Sequence, residues 1–527
     1  MTDTAIGPTR DELDIAIARY RDHLHSAAVT DFDIGSLDRL GQAVRIAALR
    51  SPDGFTNDGF GYGATAAEAL VGALGEMSET WHVHRALERA PACEVMSYEA
   101  MLDRFGSDAV IDPLTLCLPA GSPYTPSSAL RWVAVQAWPD GERVWAPREC
   151  VATSPFDYAT TSSEVVARGT GEPLMLFRPI TCGLGAGVSP AQAISHGVLE
   201  LLQRDGNCTR FRAMDRGIDL MLDHVDDPGI RTIIESLRHQ GIRVRAKLAS
   251  TEFDLVNLYV IGEPSGEAAA GDFPLMMTAC GEAVHANRER ALRKALLEYT
   301  AARVRKTFMH GPLDPIRRLA TELYEKEIMA YVDPDAEERR ALEEMIRWLG
   351  MDTARLRALL DDTVFSSHES RAFSTLPSVP DSAVREPQSR LDDVAARLRS
   401  QDLSICYFDA SPPGEEAPQV VKTIVPGLEG ETLSYHRVGE RGVRRLAAEY
   451  GELVSIGAPS APDDRRIRLG QAAEARLGGP AWFGKGRADE IVGSLYPLYR
   501  EPSSHTARAR MASSPDTTSR QAARKAS

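Results

Sequence analysis

The chain has 527 residues, 43% of them hydrophobic, and a formal net charge of −15. That length accommodates two or three domains with a sizeable core. The negative balance excludes nucleic acid or an anionic membrane held over a broad surface, while leaving room for a local basic pocket.

The opening, MTDTAIGPTRDELD, has no basic run followed by an apolar one, so no signal peptide is read. No stretch reaches the ~18 apolar residues of a membrane span, and the seven cysteines form no CxxC pair. A reduced, cytoplasmic protein is expected. Thr9 and Glu12 form a capping box for a first helix with Leu13, Ile17, Tyr20 and Leu24 as its apolar stripe. QAVRIAAL reads as a strand, and the glycine cluster GFTNDGFGYGAT leads into a helix over about 66–85. Between about 95 and 180 strands alternate with turns, VAVQAW and RVWAP being joined through Pro-Asp-Gly. A second glycine-rich turn, TCGLGAGVSP, opens a helix over about 190–210. VRAKLAS and LVNLYVIG read as strands, and a third helix spans about 288–306. Residues 313–363 are charged and helical, and the Ser/Pro-rich stretch 364–388 reads as a linker or loop. A helix at 389–400 and the strands LSICYFDA and QVVKTIV restore α/β character. The polar tail from about 503 reads as disordered. No clear internal repeat is visible, although two helices each follow a glycine-rich turn and carry carboxylates.

Three helices bear the residues with chemical potential. In the first, Leu70, Leu74, Met77 and Trp81 form the buried stripe, and Glu76 and Glu79, three apart, share another face. Alone, such a pair reads as a solvated acidic face. In the second, capped by Ser189 with Pro190 and Gln192 following, His196, Glu200, Gln203 and Arg204 line one surface opposite Ile194, Val198 and Leu201. The third carries Glu298 and Arg303, about 140° apart round the helix, able to flank one ligand; Glu298, Ala302 and Arg305 share a face, which an ordinary ion pair would also explain. Together these residues offer carboxylates for Mg²⁺ and arginines for phosphate oxygens. There is no GxxxxGK[ST], so a P-loop is excluded, and GFGYG alone is a weak signal.

In this order the motifs resemble those of the YcaO family. GYGATAAEALVGALGEMSET resembles its GKG turn, helix and E-x-x-E-R. TCGLGAGVSPAQAISHGVLELLQRDG resembles S-N-G-x-A-x-G-N followed by a helix with H-x-x-x-E-x-x-E-R-D. GEAVHANRERALRKALLEYTAAR resembles the third signature ending in E-x-x-Q-x-R, and VVKTIVPGLEG the late strand and turn. The resemblance spans roughly 28–440. It implies an α/β (α+β) fold with mixed sheets, glycine-rich turns leading into carboxylate-bearing helices, an internal pseudo-repeat and a helical insertion. The expected division is an N-terminal helix, 1–27; a nucleotide-binding core, 28–312; the helical insertion and linker, 313–388; the C-terminal part of the same domain, 389–502; and the disordered tail, 503–527.

The resemblance further implies ATP and Mg²⁺ as cofactors. Glu76, Glu79 and Glu200 would hold the metal; Thr181, His196, Gln203 and Glu298 would line the nucleotide site; Arg204 and Arg303 would meet phosphate oxygens, with Glu200 and Arg204 at the catalytic centre. The family activates a peptide-backbone amide by O-phosphorylation, giving an azoline by cyclodehydration, a thioamide or an amidine. This chain departs at Tyr62 for Lys, Thr80 for Arg, Gln203 for Glu and Ala301 for Gln, and Pro497 and Pro502 do not make a PxPxP tail. Gln203 removes one anionic ligand, so the alternative is a degenerate member that binds nucleotide or a partner as a scaffold without turnover. Expected partners are a precursor peptide and, since the match begins near residue 28, a separate leader-binding E1-like or TfuA-type protein. A homodimer is compatible with the fold.

Overall fold

The computed structural model describes residues 9–91, 93–154, 157–158, 164–166, 172–208, 210–265, 271–430 and 434–513. The first helix, α1 (Arg10–His23), starts at the expected box: the Glu12 amide donates to Thr9 Oγ1 and the Thr9 amide to Glu12 Oε2. It packs on α2 (Ala66–Arg89). Against the other side of α2 lies an antiparallel sheet of β1 (Ala28–Asp33), β2 (Ala43–Arg50) and β3 (Thr56–Gly63). The β2 side chains alternate between two cores. Ala47 and Leu49 meet Leu74, Met77 and Trp81 of α2, while Val44, Ile46 and Ala48 meet Val304 and Phe308 of a later helix. Each such buried large side chain contributes about 1.5–3 kcal/mol.

A second sheet runs in the order β7 (Glu164–Val166), β4 (Cys93–Ser97), β5 (Ala129–Ala137), β14 (Cys406–Asp409), β15 (Gln419–Ile424) and β8 (Leu184–Gly187), with β6 (Arg143–Pro147) also paired to β5. From β8 the chain enters α3 (Pro190–Cys208), which packs between β15 and the helix Pro387–Arg399. A third sheet has the order β12 (Cys280–His285), β11 (Val256–Pro264), β10 (Ile242–Ser250), β9 (Ile218–Met221) and β13 (Glu369–Ala372), covered by α4 (Arg288–His310). A small sheet of β16 (Val454–Ile456), β18 (Ala481–Phe483) and β17 (Arg465–Ile467) completes the described strands.

Three strand–turn–helix units, β3–α2, β8–α3 and β12–α4, pack alike. A Cβ on Gly61 would lie 1.8 Å from the Ala69 carbonyl oxygen, one on Gly185 2.0 Å from that of Ala193, and one on Gly281 2.0 Å from that of Ala295. Glycine is required because strand backbone rests directly on helix backbone. The first two units correspond residue for residue at one constant offset: Gly61 with Gly185, the N-caps Thr65 and Ser189, Ala69 with Ala193, Glu76 with Glu200, and Glu79 with Gln203. Even the turn bonds repeat, Ala64 N to Glu68 Oε2 (2.6 Å) and Val188 N to Gln192 Oε1 (3.1 Å). This is a pseudo-repeat that side-chain composition conceals.

Two expectations need correction. The stretch 364–388 is more than a linker, because Glu369–Ala372 pairs in parallel with β9 as an edge strand. The segment from 503 is not uniformly a tail: Thr506–Ser513 is helical, His505 is buried and bonded to Tyr324 (2.6 Å), and Arg508 Nε donates to the His310 carbonyl (2.7 Å). The expected disorder of 514–527 falls outside the described residues. Among the described residues no helix is long and apolar enough to cross a membrane.

Candidate functional site

Glu76 and Glu79 leave α2 on the face away from Leu74 and Met77, and Glu200 leaves α3 at the corresponding place. Each carboxylate is anchored by a backbone amide of β3, of β8 or of the turn into β8. Phe60 N donates to Glu76 Oε2 (2.5 Å), Gly183 N to Glu200 Oε2 (3.0 Å), and the Ala186 amide to Glu79. The three lie close enough to repel one another. Glu79 is pushed well above the ordinary carboxylate range by burial and then by Glu200 and Glu76. Glu76 is raised by desolvation within its cleft, with Asp58 and Glu200 adding to the shift and Arg305 and the Phe60 amide opposing it. Carboxylates held in mutual repulsion are stabilised by a hard divalent cation, and oxygen donors from facing helices suit Mg²⁺. The donor types fit the expected metal, although the three carboxylates do not together bring ligand oxygens within 4.8 Å of one another in this arrangement.

Arg204 joins this cluster to a cavity of about 440 Å³. Its Nη2 lies 3.5 Å from Glu200 Oε1 and its Nη1 3.2 Å from Glu282 Oε2. Arg212, Arg305 and Lys306 line the same cavity, together with Glu298 and the C-terminal stretch Pro497–Glu501. Glu298, within 3.5 Å of the Tyr62 hydroxyl, titrates near 7, pushed up by burial with Glu282 adding to the shift. Lys306 is pushed down to about 7 by burial and by neighbouring Arg305; it is also bonded to Glu501, whose Oε2 lies 3.0 Å from His310 Nε2. A cavity walled by arginines and bordered by a carboxylate cluster has the polarity that a metal-bound triphosphate requires.

The other sequence candidates fall into three groups. His196 is half-exposed on α3, its Nε2 4.0 Å from Glu79 Oε1 on the facing helix. Gln203 is buried and its Nε2 lies 3.4 Å from Glu282 Oε2. Thr181 sits exposed on the turn into β8, where its carbonyl accepts the Leu184 amide (3.2 Å); it does not line the cavity.

Arg303 is the clear correction. Its side chain is 2% exposed and locked to Asp38 (Nε–Oδ2 2.7 Å, Nη2–Oδ1 3.2 Å) and to Asp272 (Nη2–Oδ2 2.9 Å). About 140° of helix rotation carries it from the Glu298 face into the core. Arg305, seven residues beyond Glu298 and on its face, takes the outward position: it stacks on Phe60 (4.8 Å) and acts electrostatically on Glu76, Asp58 and Glu298. That shared face is visible in the sequence.

Other residues here had no sequence signal strong enough to find them. Glu282 and Arg212 meet at 3.0 Å across separate elements. Lys422 on β15, its Nζ donating to the Ile180 carbonyl (2.5 Å), faces Glu200 and Glu79; it lies within VVKTIVPGLEG, but only the fold brings that strand beside α3.

Similarity to known proteins agrees with this geometry. Residues 60–429 match the family model described as YcaO cyclodehydratase, ATP- and Mg²⁺-binding. An uncharacterized protein of Methanothermobacter thermautotrophicus is 26% identical over 428 residues, covering 80% of this chain and 95% of the relative. The fold is similar to that of YcaO from Methanopyrus kandleri, solved with AMPPCP and Mg²⁺ bound: TM-score 0.53, 18% identity, covering 82% of this chain and 93% of that one. It is also similar to a heterocyclase solved in complex with substrate and cofactor: TM-score 0.55, 14% identity, covering 82% of this chain and 54% of that one. The chain belongs to the YcaO family and carries its ATP- and Mg²⁺-binding domain.

Proposed function

We propose that this protein uses ATP and Mg²⁺ to activate a peptide-backbone amide by O-phosphorylation. The observation that carries the reading is the convergence of Glu76, Glu79 and Glu200 from two helices beside Arg204, at the border of a cavity lined by Arg212, Arg305 and Lys306. A nucleophile adds to the amide carbonyl carbon, the resulting oxyanion takes the γ-phosphoryl group with release of ADP, and phosphate then departs with that oxygen. Mg²⁺, when bound, neutralises phosphate charge and polarises the group transferred.

The protein's own part is positioning and charge. Glu76, Glu79 and Glu200 would hold the metal. Arg204, Arg212 and Arg305 meet phosphate oxygens. His196, Glu298 and the Gln203 amide border the nucleotide, whereas Thr181, outside the cavity, is assigned no contact with it. The product is an azoline or a thioamide on a precursor peptide presented by a separate leader-binding or TfuA-type partner. The heterocyclase relative, solved with its substrate and cofactor, supports the azoline.

The second reading, a nucleotide- or partner-binding scaffold without turnover, draws on Gln203, an amide where the corresponding place on α2 carries Glu79. One assay separates the two. Phosphate release is measured with ATP, Mg²⁺, candidate peptide and partner, for wild type and Glu200→Gln, and the peptide is weighed. Peptide-dependent release, abolished in Glu200→Gln, with a peptide lighter by about one water or heavier by one oxygen-to-sulfur exchange, supports the enzyme. Nucleotide binding without release supports the scaffold.

A further inference from the structure

The pseudo-repeat puts one residue out of character. Helix α2 offers carboxylates at both Glu76 and Glu79; α3 offers Glu200 and then, at the place of Glu79, Gln203. An amide carries no charge and is the weaker donor to a hard cation. Yet the Gln203 amide does not face a void or an apolar wall. Its Nε2 lies 3.4 Å from Oε2 of Glu282, which projects from β12, the strand of the third strand–turn–helix unit. Glu282 is almost fully buried and belongs to the same cavity wall as Arg204 and Glu298.

We propose that Glu282 supplies from β12 the carboxylate that α3 lacks at position 203, serving as an acidic donor to the metal–nucleotide site while Gln203 orients it. The inference rests on the nucleotide reading of the site given above. Three features favour a functional carboxylate over a passive one. First, Glu282 is joined to the carboxylate cluster through one shared guanidinium, Arg204 touching both Glu200 (3.5 Å) and Glu282 (3.2 Å). Second, burial of an acid is costly unless a cation compensates it. Here Arg204 (3.2 Å) and Arg212 (3.0 Å) do so. Third, both arginines line the cavity. Arg204, bridging Glu200 and Glu282, and Arg212, paired with Glu282, supply the charge balance that a cation would take over, and both border the cavity that phosphate oxygens would enter.

The exchange of position is directly testable. Mn²⁺ binding is followed by the loss of free-ion EPR signal in the presence of AMPPCP, and AMPPCP binding alone is measured calorimetrically in EDTA. The proteins are wild type, Glu282→Gln, Gln203→Glu and the swap Gln203→Glu/Glu282→Gln, each checked by thermal melting. We expect Glu282→Gln to weaken Mn²⁺ binding by about tenfold or more, to leave metal-free AMPPCP binding unchanged or stronger, and the swap to return Mn²⁺ affinity to within about threefold of wild type.

A Glu282→Gln protein that binds Mn²⁺ like wild type overturns the proposal, as does a swap no better than Glu282→Gln. Equal loss of AMPPCP binding with and without metal also overturns it, since Glu282 then serves only to anchor arginines. A wild type that takes up no Mn²⁺–AMPPCP at all refutes instead the nucleotide reading on which the inference stands. If Glu282→Gln does not fold, the swap against Gln203→Glu still decides: a folded swap that binds no metal overturns the proposal.

Discussion

Replacing Arg303 by methionine removes the cation that compensates two aspartates deep in the structure. Asp38 and Asp272 have side chains 1% and 12% exposed, and Arg303 meets the first through two hydrogen bonds and the second through one. Arg39 also reaches Asp272 (2.8 Å), so that acid keeps a partner. The Asp38 carboxylate loses both of the guanidinium bonds that hold it. Breaking a buried ion pair from one side costs about 3–5 kcal/mol, most of it the desolvation of the charge left behind. The expected result is a protein less stable by about that amount in urea denaturation, with the loss reduced when Asp38→Asn is added, because a neutral amide tolerates burial better. Nucleotide affinity, measured on whatever fraction remains folded at low temperature, should stay within about threefold of wild type. The same measurements on Arg305→Met should invert: near-native stability and at least about tenfold weaker AMPPCP binding. An Arg303→Met protein that melts like wild type and loses nucleotide affinity would refute the reasoning and restore Arg303 to the phosphate site.

Other expectations follow from the same geometry. Glu298 titrates near 7 in the fold against an ordinary 4.5; the folded state therefore holds its proton through that window, and stability falls as pH rises from about 4.5 to 7, by at most about 3 kcal/mol. Glu298→Gln should make the decline shallower in urea titrations at pH 5, 6 and 7.5, leaving the part owed to other raised acids such as Glu149 and Asp205, and an unchanged slope would refute the assignment. Gly185→Ala would place a Cβ 2.0 Å from the Ala193 carbonyl oxygen, so β8 must lift from α3. A stability loss of about 1–3 kcal/mol with weakened Mn²⁺–AMPPCP binding is expected, whereas Gly106→Ala, with nothing within 4 Å, should not affect the binding. Glu501→Ala leaves Lys306 and His310 without the carboxylate that ties the C-terminal stretch to α4; trypsin should then cut after Arg500 or Arg508 faster than in wild type, as read by intact-mass spectrometry.

Much of the site is legible in the chain because it is built on helices. Caps at Thr65 and Ser189, apolar stripes at helical spacing and acids three residues apart are local signals, and the structure keeps Glu76, Glu79, Glu200 and Arg204 together as the order of motifs implies. What escaped is long-range. Glu282 is one residue of a six-residue strand, and its importance comes from pairing across to α3. The edge strand Glu369–Ala372 lies in a Ser/Pro-rich stretch with no alternation to betray it. The pseudo-repeat rests on glycines, alanines and acids separated by unrelated side chains, so it emerges only when Gly61 and Gly185 are seen pressed on equivalent helix carbonyls. Arg303 and Arg305 differ for another reason: motif position favours Arg303, whereas helical phase favours Arg305, and the structure follows the phase.

The account stands on Glu79 and Glu200 acting together on one metal-bound nucleotide. Calorimetric titration of AMPPCP with Mg²⁺ into wild type and into Glu79→Gln/Glu200→Gln tests this most directly. One nucleotide bound per chain in wild type, with a Mg²⁺-dependent gain in affinity that vanishes in the double variant, is the predicted result; the same Mg²⁺-dependent gain in both proteins would contradict it.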